Sequence, residues 1–424
     1  MKKYDVAVVG GGPAGVAAAV SAARGGAQVI LIEKSNCLGG AACNAFVQPF
    51  MPYTAKIDGK KVSLCRGIFE EITTELEKMQ TEIDGIESEE KPLQFFNEEY
   101  LKILLNRMTI SAGVDLLFHT YFIDVDAEDG RVKSITVSNK SGQEKIFADY
   151  FIDATGDADL AYKAGFSCRL GREEDGLCQP MTLCFRLGNV DESKFAEMEP
   201  GYINKLYKQF QKEGKIKNIR EDVLMFRSLI DHVIHFNSTR IVKLNPTDAI
   251  DLTKAEIEAR EQMMELFLFL KNNIPAFKDS RLMSSAPEIG IRESRMIDGE
   301  YILTGEDLKA CTKFEDAIAL GNYDIDIHNP EGSGTSHYFF GDGEYYSIPY
   351  RSLVPKGAEN LLAAGRCISV NHDAQASIRI MPIVYCIGEA AGTACAIAKK
   401  EQIPVLGVDT DVLRKTLAEN GAAV

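Results

Sequence analysis

Residues 5–15, DVAVVGGGPAG, decide the fold. DVAVV is a short apolar run of the kind that forms a strand buried in a parallel sheet. Gly10, Gly12 and Gly15 follow at GxGxxG spacing. The next stretch, VAAAVSAARGG, is rich in helix formers and ends at Gly25–Gly26, a helix stop. QVILIEK then gives a second strand ending at Glu33. In such a unit Gly10 permits the tight turn, Gly12 lets a pyrophosphate approach the backbone, and Gly15 lets the helix pack on the strand. The helix N-terminus turns free N–H groups and its positive dipole end toward the phosphates. Glu33 stands where a carboxylate would take ribose hydroxyls. Strand, glycines, helix, strand and acid in this order specify a dinucleotide site, but leave FAD and NAD both open.

Further along, residues 115–157 alternate like a β-meander, with turn signals at Asp129–Gly130 and Ser141–Gly142. The meander ends in FIDATGD, a strand running into Thr155–Gly156. NLLAAGRCIS (360–369) is another apolar strand, and SIRIMPIVYCIGEAAGTACAIAKK after it reads as one long helix. Its apolar run contains Glu389 and small-residue breaks, so a buried helix is expected rather than a membrane span. Between these parts, PMTLCFRLGNV (180–190) and FNSTRIVKL (236–244) read as strands, and residues 200–235 as polar and helical. DLTKAEIEAREQMMELFLFLKNNIP (251–275) predicts a helix capped by Thr253, with Glu256 completing a capping box.

The 47 basic and 62 acidic residues leave a net charge of −15, which argues against nucleic acid or an anionic membrane as partner. The ten cysteines form no CxxC pair and no zinc-like spacing, as expected of reduced thiols in a cytoplasmic protein. The opening MKKYDVAVVGGG has lysines and an apolar run like a signal peptide, but glycines cut the run short and a strand is expected.

The fingerprint, the ATGD strand end and AGR…GEAAGTA together resemble FAD-dependent oxidoreductases of the glutathione-reductase superfamily. LGG (38–40), GIRESRMIDGEYILTGEDL (290–308), DIDIH (324–328), YSIPYRSLVPKGAENLLAAGRCIS (346–369) and ASIRIMP (376–382) are similar to the family called simply FAD-dependent oxidoreductase. The last segment is also distantly similar to succinate dehydrogenase and fumarate reductase flavoproteins. The resemblance implies an α/β fold: a doubly wound, Rossmann-like FAD-binding domain with a β-meander, and an inserted α+β substrate domain. The expected division is 1–170, first part of the FAD domain; 171–300, substrate domain; 301–424, second part.

The resemblance further implies FAD as cofactor and places it. Gly10, Gly12, Pro13, Ala14 and Gly15 would hold the pyrophosphate, and Glu33 and Lys34 the adenosine ribose. Gly39, Gly40 and Ala41 would pass beneath the flavin side. Phe122 would offer backbone to the adenine. Ala154, Thr155 and Gly156 would line the middle of the cofactor, with Gly365 and Arg366 near the ribityl–phosphate chain. The backbone of Arg379, Ile380 and Met381 would face the flavin O2 edge, where a helix N-terminus stabilises negative charge. No second GxGxxG exists for a nicotinamide domain.

Cys43, in LGGAACNAF, occupies a loop that in disulfide reductases carries two redox cysteines, but Val47 stands at the second position. Cys43 is therefore a candidate nucleophile, with a packing residue the blander reading. His372 is the candidate proton carrier, with Asn371 and Gln375 adding hydrogen bonds. Arg292 and Arg379 are the candidate anion-binding groups, among arginines that include Arg240, Arg295 and Arg351. Asp326 and His328 show a DxH spacing read as structural, and no metal is expected. The function expected is hydride transfer between flavin N5 and a carbon of a small polar or anionic substrate. Alternatives are a Cys43-dependent covalent or sulfur-transfer flavoenzyme, and a non-turnover flavin-binding redox sensor or assembly factor. Substrate, electron donor or acceptor and oligomeric state stay open.

Overall fold

The computed structural model describes residues 3–87 and 93–424. The opening stretch forms β1 (Lys3–Val9), α1 (Pro13–Arg24) and β2 (Val29–Ile32). β1 and β2 run parallel, with Val6 beside Val29 and Val9 beside Ile32. The chain leaves β1 through Gly10 at φ +104°, a conformation that only glycine adopts freely. A side chain on Gly15 would sit 1.7 Å from the Gly10 carbonyl oxygen, so the helix start and the strand end close on each other only as glycines.

Helices α2 (Ala41–Asn44), α3 (Ile68–Asp84) and α4 (Glu98–Ser111) follow. β3 (Asp115–Leu117) then joins the outer edge of β2 in parallel. β4 (Tyr121–Glu128), β5 (Arg131–Asn139) and β6 (Gly142–Asp153) are the meander, and the end of β6 returns parallel to β1 with Asp153 beside Val9. The order is β3-β2-β1-β6-β5-β4, and Leu361–Ala363 adds a seventh strand parallel to β6. The doubly wound α/β expectation is met.

A second hydrophobic core gathers residues between Met181 and Ile289, joined by Phe46. Its antiparallel sheet, in the order β8-β9-β7-β10, consists of β7 (Phe185–Gly188), β8 (Met225–Arg227), β9 (Ile234–Phe236) and β10 (Arg281–Ser285). α5 (Ala249–Asn273) contributes Met263, Leu266 and Phe269 to this core. Three local expectations fail here. Only Ile234–Phe236 of the segment around FNSTRIVKL pairs as a strand, and Ile241 makes a lone bridge to Met181. Ser238 and Thr239 turn their hydroxyls to the backbone of Leu224 and Leu183, which competes with a ladder. Between 200 and 235 the long helix is Tyr202–Lys212; Gly214 at φ +70° follows its end, and the chain goes on to form β8. α5 is capped by Asp248, which accepts from the N–H groups of Ile250 and Asp251; Thr253 lies inside, bonded to the Ala249 carbonyl.

The C-terminal apolar stretch is two helices, α6 (His372–Ile378) and α7 (Met381–Glu401), separated by extended Ile380. Pro382 explains the break: it has no N–H to continue a helix, and its ring would meet the carbonyl four residues back. α7 crosses α1 at close range. A side chain on Gly388 would lie 2.1 Å from the Ala14 carbonyl oxygen, and one on Gly392 2.1 Å from that of Ala18. By length and composition α7 is the one described helix that could cross a membrane, yet 89% of its most apolar window is buried inside the fold. It is a core helix.

Glu389 of α7 is 2% exposed and accepts a hydrogen bond from the Ile68 N–H at the start of α3. Burial pushes its carboxyl up to about 7. A carboxyl raised on folding contributes stability that is present below its unfolded pKa and lost as pH rises through the folded one. Glu389→Gln keeps an acceptor for Ile68 but cannot ionise. Between pH 5 and 8 the native protein should therefore lose roughly 1–3 kcal/mol relative to this variant. Denaturant melts of both proteins at the two pH values measure the gap, and a constant gap would sink the assignment.

Candidate active site

The C-terminal ends of β1 and β6, the start of α1, the Gly39–Gly40 turn and the start of α7 converge. α1 begins at Gly12 with no side chain capping it, and α7 begins at Ile380 in the same way. Gly12 has φ −70° and ψ −176°, ordinary extended backbone. A Cβ there would meet only the Gly40 Cα, at 3.9 Å, whereas one on Gly40 would press to 2.8 Å from the Gly12 Cα. Gly12 thus borders open space in front of a helix N-terminus, the shape a phosphate needs. Pro13, Ala14 and Gly15 form the buried first turn behind it.

Glu33 lies buried at the end of β2. One carboxylate oxygen accepts from the Gly11 N–H at 2.6 Å and the other from the Ser35 N–H at 2.7 Å. Each oxygen keeps a further lone pair for a hydroxyl. The Lys34 ammonium lies 3.5 Å from Glu288 on the surface, drawn there by opposite charge. Phe122 is half-buried opposite Val137 at the start of the meander. Ala154 and Thr155 follow Asp153, whose buried carboxylate holds the Thr155 and Ala161 N–H groups and is pushed up to about 6 by burial. Gly365 backs on Ala14. The Arg366 side chain pairs with Asp157 at 2.6 Å and lies against Gly156, bracing the ATGD loop, while its Nε is buried without a hydrogen-bond partner.

Cys43 lies in the core rather than on an open face of the cradle. It is fully buried, its Sγ tucked beneath Gly39 and aimed at the Glu98 carbonyl, and burial drives its thiol far above the ordinary range. A thiol so raised supplies almost no thiolate at neutral pH. Cys37 is free as well, its Sγ against Asn44. The small-packing reading of Cys43 is the one the geometry supports.

The catalytic candidates meet on the other side, where α6 packs on a hairpin of β11 (Ile325–His328) and β12 (Thr335–Tyr338). His372 opens α6. Its Nδ1 lies 2.8 Å from Glu293, a carboxylate with no exposure that also accepts from the Gln179 N–H. Burial works to lower the His372 pKa, but the Glu293 hydrogen bond and charge outweigh it, and the net shift is upward. Gln179 Nε2 donates to Gln375 Oε1, and Gln375 Nε2 donates to the Arg292 carbonyl, so the histidine and the arginine share one framework. Asn371 is a cap instead, accepting from Ala374 and Gly305.

Arg292 donates to the Pro180 carbonyl at 2.7 Å and to Thr182 Oγ1 at 2.5 Å, and among the described residues it forms no ion pair. Burial, then the charges of Arg379 and Arg220, depress its pKa. Arg379 follows α6 and touches Asp326 at 3.4 Å; its Nε is buried without a partner. Arg379 thus lies near Arg292, and both act on the Asp326 carboxylate, whose pKa they help to lower. The other arginines are structural: Arg295 pairs with Asp159, Arg351 with Asp316, and Arg240 with Glu221 and the carbonyls of Asn329, Gly332 and Gly334.

Asp326, read from sequence as structural together with His328, meets the Arg379 guanidinium. His328 Nε2 lies 3.3 Å from Asp326 Oδ2, and burial followed by the Arg292 charge brings its pKa down to about 3. The alternation of DIDIH was the available signal, since it sets Asp324, Asp326 and His328 on one strand face.

The family model described as FAD dependent oxidoreductase matches residues 5–417. The chain belongs to this family. It is an FAD-dependent oxidoreductase, and FAD is its cofactor. Among curated proteins it is 25% identical to the mitochondrial dihydrolipoyl dehydrogenase of Dictyostelium discoideum over 147 residues, 32% of this chain and 28% of that one. It is 30% identical to thiamine thiazole synthase of Aeropyrum pernix over 171 residues, 37% of this chain and 57% of that one. The chain thus spans less than two thirds of these relatives. Among solved structures, p-nitrophenol 4-monooxygenase PnpA from Pseudomonas putida DLL-E4 aligns over 100% of this chain and 88% of its own, with a TM-score of 0.50 and 12% identity. At that identity the likeness is one of fold.

Proposed function

We propose that the family's FAD lies across the cradle just described and that the enzyme moves a hydride between flavin N5 and a carbon of a small anionic substrate. The uncapped α1 start with Gly10, Gly12, Pro13, Ala14 and Gly15 would hold the pyrophosphate, and Glu33 the ribose. Phe122 would lie toward the adenine, and Gly39, Gly40, Ala41, Ala154, Thr155, Gly156 and Gly365 would line the path. The backbone at Arg379, Ile380 and Met381 would offer N–H groups and the dipole of α7 to the flavin's O2 edge. The residues present fit the cofactor: the open space before Gly12 is one a side chain would fill.

The observation that carries the substrate class is the pair Arg292 and Arg379. Arg292 is a half-buried guanidinium bonded to neutral groups and without a carboxylate partner, near a second whose Nε is unsatisfied. A carboxylate held between them would stabilise both. His372, oriented by Glu293, would accept or return the substrate proton. Gln179 and Gln375 keep these groups in register. A role for Cys43 in covalent or sulfur chemistry is not part of this reading.

Anaerobic visible spectra of the FAD-loaded enzyme, taken as candidate reductants are added in turn, test it. Hydroxy or saturated carboxylates are expected to bleach the flavin, and their neutral amides to fail. Bleaching by NADH or NADPH alone, with no effect of any carboxylate, would overturn the substrate class.

A further inference from the structure

The β11–β12 hairpin carries chemistry that hydride transfer does not use. Side chains alternate along a strand, so Asp324, Asp326 and His328 share a face, and Asp326 lies directly across from His337, His328 from Thr335. The two oxygens of Asp326 meet different surroundings. Oδ2 accepts from the Tyr323 hydroxyl at 3.2 Å and faces His328 and Arg379. Oδ1 is buried with no hydrogen-bond partner, in a residue only 7% exposed. It points to the opposite side, where His337 Nδ1 stands 3.8 Å away, and that nitrogen lies 2.6 Å from Asp324 Oδ2. One ligand atom from each of Asp324, Asp326 and His337 thus lies within 4.8 Å of the other two.

We propose that this face binds one divalent first-row transition ion through Asp324, Asp326 and His337. Ligands about 2.0–2.2 Å from such an ion stand roughly 3–3.5 Å apart, so the three atoms need only small adjustments. The ion would replace the proton now shared between His337 and Asp324 and would satisfy Asp326 Oδ1. The mixed donor set favours a transition ion over magnesium or calcium, which take oxygen alone. The His337 ring is steadied by parallel stacking on Phe339, with centroids 5.2 Å apart and planes at 5°. The His337 side chain is 38% exposed, which leaves an entry path and room for water ligands. Asp326 would then join the ion to Arg379, its two oxygens serving one each. The ion would draw charge from that carboxylate and loosen its hold on the guanidinium. Only this last consequence rests on the proposed substrate seat; binding does not.

The test uses the full-length, FAD-loaded protein after treatment with a chelator. Manganese(II) is titrated while the resonance of the free aqua ion is followed, and cobalt(II) by its visible spectrum. One saturable site per chain is expected, with a dissociation constant in the micromolar range or below. His337→Gln and Asp324→Asn should each weaken it by about 10-fold or more, with flavin content and circular dichroism unchanged. Both residues are less buried than Asp326, which keeps the variants foldable. Binding no tighter than millimolar, or equal affinity in His337→Gln, would overturn the proposal. So would a cobalt–thiolate charge-transfer band, which would place the ion on a cysteine.

Discussion

Gly12→Val should yield a folded protein that no longer retains its flavin. Gly12 has dihedral angles open to any L-residue, so the backbone itself does not object to a side chain. What a side chain would enter is the space in front of the α1 N-terminus, since the nearest atom to a Cβ is the Gly40 Cα at 3.9 Å. Valine would fill the volume a pyrophosphate needs and hold it away from the N–H groups. Overpacking costs about 1–3 kcal/mol, which corresponds to roughly 5- to 150-fold weaker FAD binding, and the lost helix-terminus contacts add to this. Gly15→Val is the contrasting variant. There the Cβ lands 1.7 Å from the Gly10 carbonyl oxygen, so the βα turn itself must give way and both stability and binding should fall. Flavin absorbance after reconstitution, read beside a thermal melt, separates the two. If Gly12→Val retains full flavin, the cradle has been placed wrongly.

The ease of reading differed sharply between the two ends of the site. The βαβ unit, the meander and the buried character of α7 were legible because each is written in consecutive residues: glycine spacing, alternation, an unbroken apolar run. The break before α7 was also present, in Pro382, but the surrounding helix formers masked it. Arg292, Arg379 and His372 could be named because they lie in recognisable segments. Their partners could not. Glu293 acquires its role through a contact with a residue 79 positions away, and Gln179 meets Gln375 across 196. Asp326 meets His337 through the register of a hairpin. Such contacts depend on which elements pack together, and no local period encodes that. Cys43 shows the converse. Its neighbourhood in sequence suggested chemistry, while the fold buries its Sγ beneath Gly39.

Arg292→Ala should cost the enzyme roughly 30-fold or more in kcat/KM for an anionic substrate, since removing one partner of a desolvated charge pair costs about 2–5 kcal/mol. The guanidinium also holds the Pro180 carbonyl and Thr182, so a simple loss of rate would not by itself separate recognition from scaffolding. A cycle over substrate and enzyme separates them. Replacing the substrate carboxylate by a carboxamide should slow the native enzyme strongly and the alanine variant hardly at all, because the variant has already lost the partner. Arg292→Lys should recover part of the carboxylate preference, as a point charge without the fork that reaches two oxygens. Nonreactive carboxylates should perturb the oxidised flavin spectrum of the native enzyme, and should do so far more weakly in the variant. If acid and amide lose equally on substitution, Arg292 is a brace between the two cores, and the anion must be recognised by Arg379 or not at all.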